Sequence, residues 1–306
     1  MLRPERLLEI DENHNNILMV ILGNFIEHDN VFIGCIEYLI DKGVNINQKN
    51  NNNATPLSIV YNNQNFDVLK LLIEKNVNIN ININESPFII ELFKNFAAII
   101  NNRKKKILRE IINLCFDKII DVNIIDPSNG LTLLMIVYIV FRHDPYFNQY
   151  FDKIINTDLN IGADLNMKDH TGYTILMWTV ESNDIRISQK LLSNPNININ
   201  LKNNEGDTAL DIALKAKNNE GYSVLDIDFI NLLLDDDRLI KTSKLLNHAI
   251  LSENISIVKL LINKNVPINN FNLRKYINSN NFNNKYKKEI SNLLTKKNNN
   301  LLNKIK

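Results

Sequence analysis

Apolar residues along this 306-residue chain fall in short, dense blocks separated by asparagine-rich stretches. In Phe66-Asp67-Val68-Leu69-Lys70-Leu71-Leu72-Ile73 the apolar positions are 66, 68, 69, 71, 72 and 73. They cover a broad helical face, as an inner helix packed by neighbours on both sides requires. Paired aliphatics at Leu39-Ile40, Leu191-Leu192, Leu232-Leu233 and Leu260-Leu261 mark the same kind of element elsewhere. The longest apolar run, Leu131 to Phe141 broken only by Thr132, is too short to span a bilayer and suits a buried helix.

Two short phrases recur in phase with these blocks. The first is Gly43-Val44-Asn45-Ile46-Asn47, Asn76-Val77-Asn78-Ile79-Asn80, Ile119-Ile120-Asp121-Val122-Asn123, Gly162-Ala163-Asp164-Leu165-Asn166 and Asn265-Val266-Pro267-Ile268-Asn269, with a shortened copy at Asn194 to Asn200. Its closing asparagines stand at 47, 80, 123, 166, 200 and 269, intervals of 33, 43, 43, 34 and 69. The last interval is about two units, which places a decayed copy near Asp235-Asp236-Asp237. The second phrase is Thr55-Pro56-Leu57, Ser86-Pro87-Phe88, Thr132-Leu133-Leu134, Thr174-Ile175-Leu176 and Thr208-Ala209-Leu210; from Asn47, Asn166 and Asn200 it follows after eight residues each time.

Each phrase has a local physical meaning. Thr or Ser followed by Pro is a helix N-cap with Pro at the first helical position. In the second unit this predicts a first helix over about 55–63, a break at Asn62 to Asn65, and a second helix over about 66–75. The second helix should end at Gly43, Asn76, Gly162 or Asn265 in a left-handed cap, where asparagine is the best substitute for glycine. The Val-Asn-Ile-Asn segment then extends into a hairpin loop with tips such as Asn50 to Asn53 and Asp169-His170-Thr171-Gly172. Asparagine, roughly one residue in every five or six, thus does at the turns what eight glycines cannot.

Together the order Thr-Pro-Leu, helix, Leu-Leu, Gly-Ala-Asp-Val-Asn at a period near 33 resembles the ankyrin repeat, best at Gly162 to Val180 and Val44 to Asn80. The resemblance implies an all-α ankyrin-repeat solenoid of about seven helix-turn-helix units joined by hairpin loops. The units run over about 12–47, 48–80, 81–123, 124–166, 167–200, 201–238 and 239–272, after an N-terminal cap at 1–11. A capping helix, Tyr286 to Leu294, and a frayed Lys/Asn tail occupy 273–306. Units three and four are long; Asn101 to Lys106 and His143 to Tyr146 are the expected insertions. The family's small residue five positions after the Thr appears as Ala213 and Ala249 but as Val60, Val137 and Thr179 elsewhere, and its Thr-Pro-Leu-His histidine is replaced by Ser58, Met135, Met177 and Asp211. In composition these Asn-, Ile- and Lys-rich repeats resemble those of giant DNA viruses of amoebae, or of amoebae themselves.

The family's function, by resemblance, is to bind a protein partner through hairpin tips and first helices on a concave face. The corresponding positions are Asn50, Asn51, Asp126, Asp169, His170, Asn203 and Glu205 at tips, with Tyr61 and Trp178 on helices. An alternative is a substrate-recruiting adaptor of a ubiquitin ligase-type assembly, although residues 273–306 are polar and short for the C-terminal module this needs.

Composition narrows the remaining classes. A formal net charge of +1 argues against a nucleic-acid partner. Two cysteines, Cys35 and Cys115, cannot build a disulfide framework and read as reduced core thiols of an intracellular protein, cytoplasmic in setting, with no membrane partner and a monomeric state expected. The N-terminus carries no secretory core. No phosphate loop, His-Glu-x-x-His or nucleophile elbow occurs, so no enzyme and no cofactor is expected. His14, His28, His143, His170 and His248 never fall in metal-ligand spacing, and Asp235 to Asp237 lacks the alternation of a calcium loop, so no metal is expected and that triplet reads as a solvated turn. Arg103 to Lys106 reads as a charged insertion loop or, less simply, as a nuclear-import signal.

Overall fold

The computed structural model describes residues 7–24, 30–118, 121–155, 162–215, 227–251, 253–268 and 284–305. The chain is helical, with fifteen helices among the described residues packed in sequential pairs. It divides into two compact units, Met1–Ala163 and Asp164–Lys306.

The first unit holds α1 (Ile17–Asn24), α2 (Asn30–Asp41), α3 (Pro56–Asn62), α4 (Phe66–Glu74), α5 (Phe88–Ala98), α6 (Asn102–Phe116), α7 (Leu133–Phe141) and α8 (Phe147–Ile155). First helices pack on first helices, α1 on α3 and α5 on α7, and α4 packs on α6. The second unit holds α9 (Ile175–Glu181), α10 (Ile185–Leu192), α11 (Ala209–Lys215), α12 (Ile227–Leu234), α13 (Ser243–Leu251), α14 (Ile255–Asn263) and α15 (Asn284–Ile305), with α11 packed against both α9 and α13. The stretch after Asn200 therefore carries a full helix pair, α11 and α12, in spite of its lost motif.

The caps follow the predicted chemistry. Thr55 accepts the Ser58 N–H at 3.2 Å while its own N–H donates to Ser58 Oγ at 2.8 Å, a reciprocal capping box with Pro56 at the first helical position. Thr132 and Thr174 accept from the backbone of Met135 and Met177 in the same way. Ser86 departs from the pattern. It sits in a two-residue antiparallel ladder, Asn82–Ile83 against Ser86–Pro87, turned by Asn84 and Glu85 at φ 50° and 66°, and α5 starts without a side-chain cap. Its hydroxyl goes to Asp126 instead, at 3.2 Å.

Left-handed residues close the second helices at Gly43 (φ 87°), Asn76 (63°) and Asn265 (57°). Asn183 holds a further left-handed position between α9 and α10. The closing Asn269 lies outside the described residues, as do Ile119 and Ile120. The five positions held by Val60, Val137, Thr179, Ala213 and Ala249 are all buried, so valine and threonine are accommodated where the family favours alanine.

Three expectations change. Cys115 is buried, but Cys35 is exposed: Ile36 and Leu39 take the inner face of α2, and Cys35 stands off it. Arg103 to Lys106 form no loop. Asn101 caps α6 by accepting the Lys104 N–H at 3.1 Å, and the basic run opens that helix. The terminal helix runs over Asn284–Ile305, past the expected end at Leu294; no Pro or Gly interrupts it, although Asn298 to Asn300 are weak helix formers.

The added length of units three and four encloses an aromatic cluster. Phe96 stacks on Phe141 at 4.5 Å, Phe116 stacks on Tyr150 at 5.5 Å, and Phe93 meets Phe141 edge-on at 5.4 Å. Such pairs add roughly 0.5–1.5 kcal/mol each beyond their buried area.

Candidate functional site: the hairpin tips

Four of the described tips each turn about one short polar side chain. Asp169 Oδ1 accepts the N–H of Thr171, the Thr171 hydroxyl and the N–H of Tyr173, at 2.8, 2.6 and 2.9 Å. Asn203 Oδ1 accepts the N–H groups of Glu205 and Asp207 at 3.0 and 2.9 Å. Asn50 Oδ1 accepts those of Asn52 and Ala54, and Asp126 accepts the N–H and hydroxyl of Ser128. One acceptor organises each turn, because a short Asx side chain reaches the N–H groups two and four residues on.

This geometry sorts the sequence-derived candidates. Asp126, Asp169 and Asn203 are buried and committed to their own turns; they build the tips and present no free face. Tyr61 is buried as well. Its hydroxyl donates to the Glu91 carbonyl at 2.9 Å and accepts from Asn95, and its ring meets Phe88 edge-on. Burial, then the Glu91 charge, pushes that phenol up. Exposed on the tips stand His170, Glu205 and Asn51, with Asn50 half-buried. Trp178 is half-buried, its indole N–H donating to Asp169 Oδ2 at 3.0 Å and its ring against Tyr173 at 5.8 Å. Burial, then the Glu181 carboxylate, raises the Tyr173 phenol to about 12.

Neighbouring tips are tied to one another. Asn204 donates its N–H to the Thr171 carbonyl at 3.1 Å and its side-chain amide to the His170 carbonyl at 2.8 Å. The approach is close enough that a Cβ on Gly172, at φ 80°, would lie 2.6 Å from Asn204 N. In the first unit Asn51 bonds the Glu12 and Asn13 carbonyls, and Asn50 reaches Asn15 at 2.9 Å.

Behind the tips the closing asparagines form a ladder. Asn47 Oδ1 accepts the Asn78 N–H at 2.8 Å. Asn166 accepts the Asn198 N–H at 2.7 Å and donates to the Asn196 carbonyl at 2.9 Å. Asn200 accepts the Ile240 N–H at 2.7 Å and donates to the Arg238 carbonyl at 2.8 Å. The Asn166 and Asn200 carboxamides thus read the backbone of the next repeat as a donor–acceptor pair, which an aspartate could not do.

This order is that of one family. A family model described as ankyrin repeats (three copies) matches residues 5–86 and 148–235. The chain belongs to the ankyrin repeat family.

Where the ankyrin motif fades, Arg238 supplies the joint. Its guanidinium donates to the carbonyls of Leu192 and Asn194 at 2.7 and 2.8 Å and pairs with Asp236 at 2.6 Å. Asp235 and Asp237 stand exposed in the turn, while Asp236 is half-buried against Arg238, and that pairing holds its carboxyl below the usual range. Nothing in the sequence period marks this clamp. Only the Asp-Asp-Asp-Arg run, standing where a closing phrase was due, hinted at it.

Among the described residues no helix is long and apolar enough to cross a membrane.

Proposed function

We propose that the chain is a non-catalytic protein-interaction module whose exposed tip residues contact a partner protein. One observation supports this reading above the others. The tips are fixed from within by Asp126, Asp169 and Asn203 and from the side by Asn204, so the outward residues His170, Glu205 and Asn51 stand on preformed turns. A preformed surface loses little conformational freedom when it binds, which is what a recognition surface needs. Trp178, half-buried beside Tyr173, supplies an aromatic edge at the same place. The free thiols of Cys35 and Cys115 suit an intracellular setting.

Affinity capture with the whole chain from its native cell tests the reading. The wild type should recover a protein partner, and combined substitution of His170 and Glu205 by alanine should weaken capture about tenfold or more while leaving the circular dichroism spectrum unchanged. Recovery of no protein above background by the wild-type chain would sink it.

A further inference from the structure

Three potential metal ligands converge where α11 meets α13. They are Asp207, just before α11, Asp211 in its first turn, and His248 on α13; one ligand atom from each lies within 4.8 Å of the others. Asp211 and Asp207 are buried, with side chains 4% and 2% exposed, and His248 is close to it at 11%. Asp211 divides its two oxygens. Oδ2 accepts the N–H and hydroxyl of Thr208 at 3.0 and 2.9 Å, which fixes the carboxylate as part of the helix cap. Oδ1 points the other way, to 2.9 Å from His248 Nδ1, and neither atom has hydrogen-bond geometry to any partner. A buried carboxylate oxygen and imidazole nitrogen that meet at this distance without hydrogen-bond geometry form an incompletely satisfied polar site, since buried polar atoms normally find well-aligned partners.

Asp207 completes the set. Lys215 and Lys244, each nearly half exposed, pair with its two oxygens, Lys244 Nζ at 2.8 Å from Oδ1. Two half-exposed ammonium groups on Asp207 thus balance the charge of the two buried carboxylates. A divalent cation carries the same total charge. It would leave the net charge of the cluster unchanged as the lysines swing into water along the path by which it enters.

We propose that Asp207, Asp211 and His248 bind a divalent transition-metal ion, zinc by preference, through one oxygen of each carboxylate and His248 Nδ1. Ligand atoms around tetrahedral zinc lie about 3.4 Å apart, given bonds near 2.0–2.1 Å, so side-chain shifts of the order of an ångström close the site. One imidazole and two carboxylates suit zinc better than calcium, which takes six or more oxygens. The Thr208 bonds to Asp211 Oδ2 orient that ligand, as outer-shell partners do in metal sites.

The test is titration of the chelator-treated whole chain with zinc chloride by calorimetry, and with cobalt(II) by visible absorption. The wild type should bind one ion saturably with a ligand-field band. His248→Ala should weaken binding about tenfold or more, and His143→Ala, at an exposed turn, should not. Lys244→Met removes a competing cation and should strengthen binding, an outcome that a structural His248–Asp211 pair does not produce. Equal affinity in the wild type and His248→Ala, or no gain with Lys244→Met, overturns the assignment, as does the absence of saturable binding by the wild type.

Discussion

Trp178 donates its indole N–H to the carboxylate that also holds the neighbouring turn together, Asp169 Oδ2, at 3.0 Å. One buried aspartate thereby ties a first helix to its own hairpin tip, and the tip cannot reorient unless the tryptophan moves with it.

Replacement of Asp169 by alanine should cost roughly 3 kcal/mol, because it strands the N–H groups of Thr171 and Tyr173 and the Trp178 indole. Trp178→Phe removes one donor and should cost about 1 kcal/mol. Urea unfolding gives the stability loss, and hydrogen exchange should show it concentrated at residues 169–173; a global loss of protection equal in α13 and α14 would contradict this.

Acid should weaken the protein through carboxyls that the fold holds low, Asp126 and Asp211 among them. Burial alone would raise Asp126, but Lys94 and the N–H and hydroxyl of Ser128 hold it at about 2. Burial would likewise raise Asp211, which His248 and Thr208 hold at about 2. Both values lie below the ordinary carboxyl range, so the unfolded chain takes up these protons first. Their stabilisation is complete above about pH 4–5 and is lost as the pH falls toward 2, about 2 kcal/mol for each group. Urea midpoints between pH 6 and pH 2 should fall steeply in the wild type and less so in Asp126→Asn.

The ladder predicts an asymmetry between isosteres. Asn166→Asp keeps the acceptor for the Asn198 N–H but turns the group facing the Asn196 carbonyl from donor to acceptor. It should cost about as much as Asn166→Ala, roughly 1–3 kcal/mol, and the comparison by thermal unfolding decides it. A neutral Asn166→Asp would show that the carboxamide donor contributes nothing.

At Asn265 the left-handed backbone sets the order of tolerance. Asn265→Gly should be neutral or slightly stabilising, while Asn265→Ala should cost about 1 kcal/mol. Thermal midpoints of the two variants should differ in that direction.

The repeat phrases made much of this legible, because caps are local. Thr55 and its Ser58 partner lie three residues apart, and the left-handed Asn76 and Asn265 follow their helices directly. Legibility failed wherever a side chain reached another repeat. Asparagine was read as a substitute for glycine, which holds at Asn76 and Asn265. Most of the phrase asparagines serve instead as turn acceptors or ladder rungs, and the rung partners lie 30 to 40 residues away. Tip positions gave the place of Asp126, Asp169 and Asn203 but not their inward direction. The cluster of Asp207, Asp211 and His248 leaves no mark in sequence spacing because His248 comes from the next helix pair.

The rungs of the ladder are uncharged, while the Arg238 clamp and the Asp207 cluster are held by carboxylates and cations. Ionic strength screens only the second kind. Salt therefore loosens the joints at Arg238 and Asp207 and leaves the asparagine rungs untouched, so neighbouring repeats differ in how firmly a change of medium can part them.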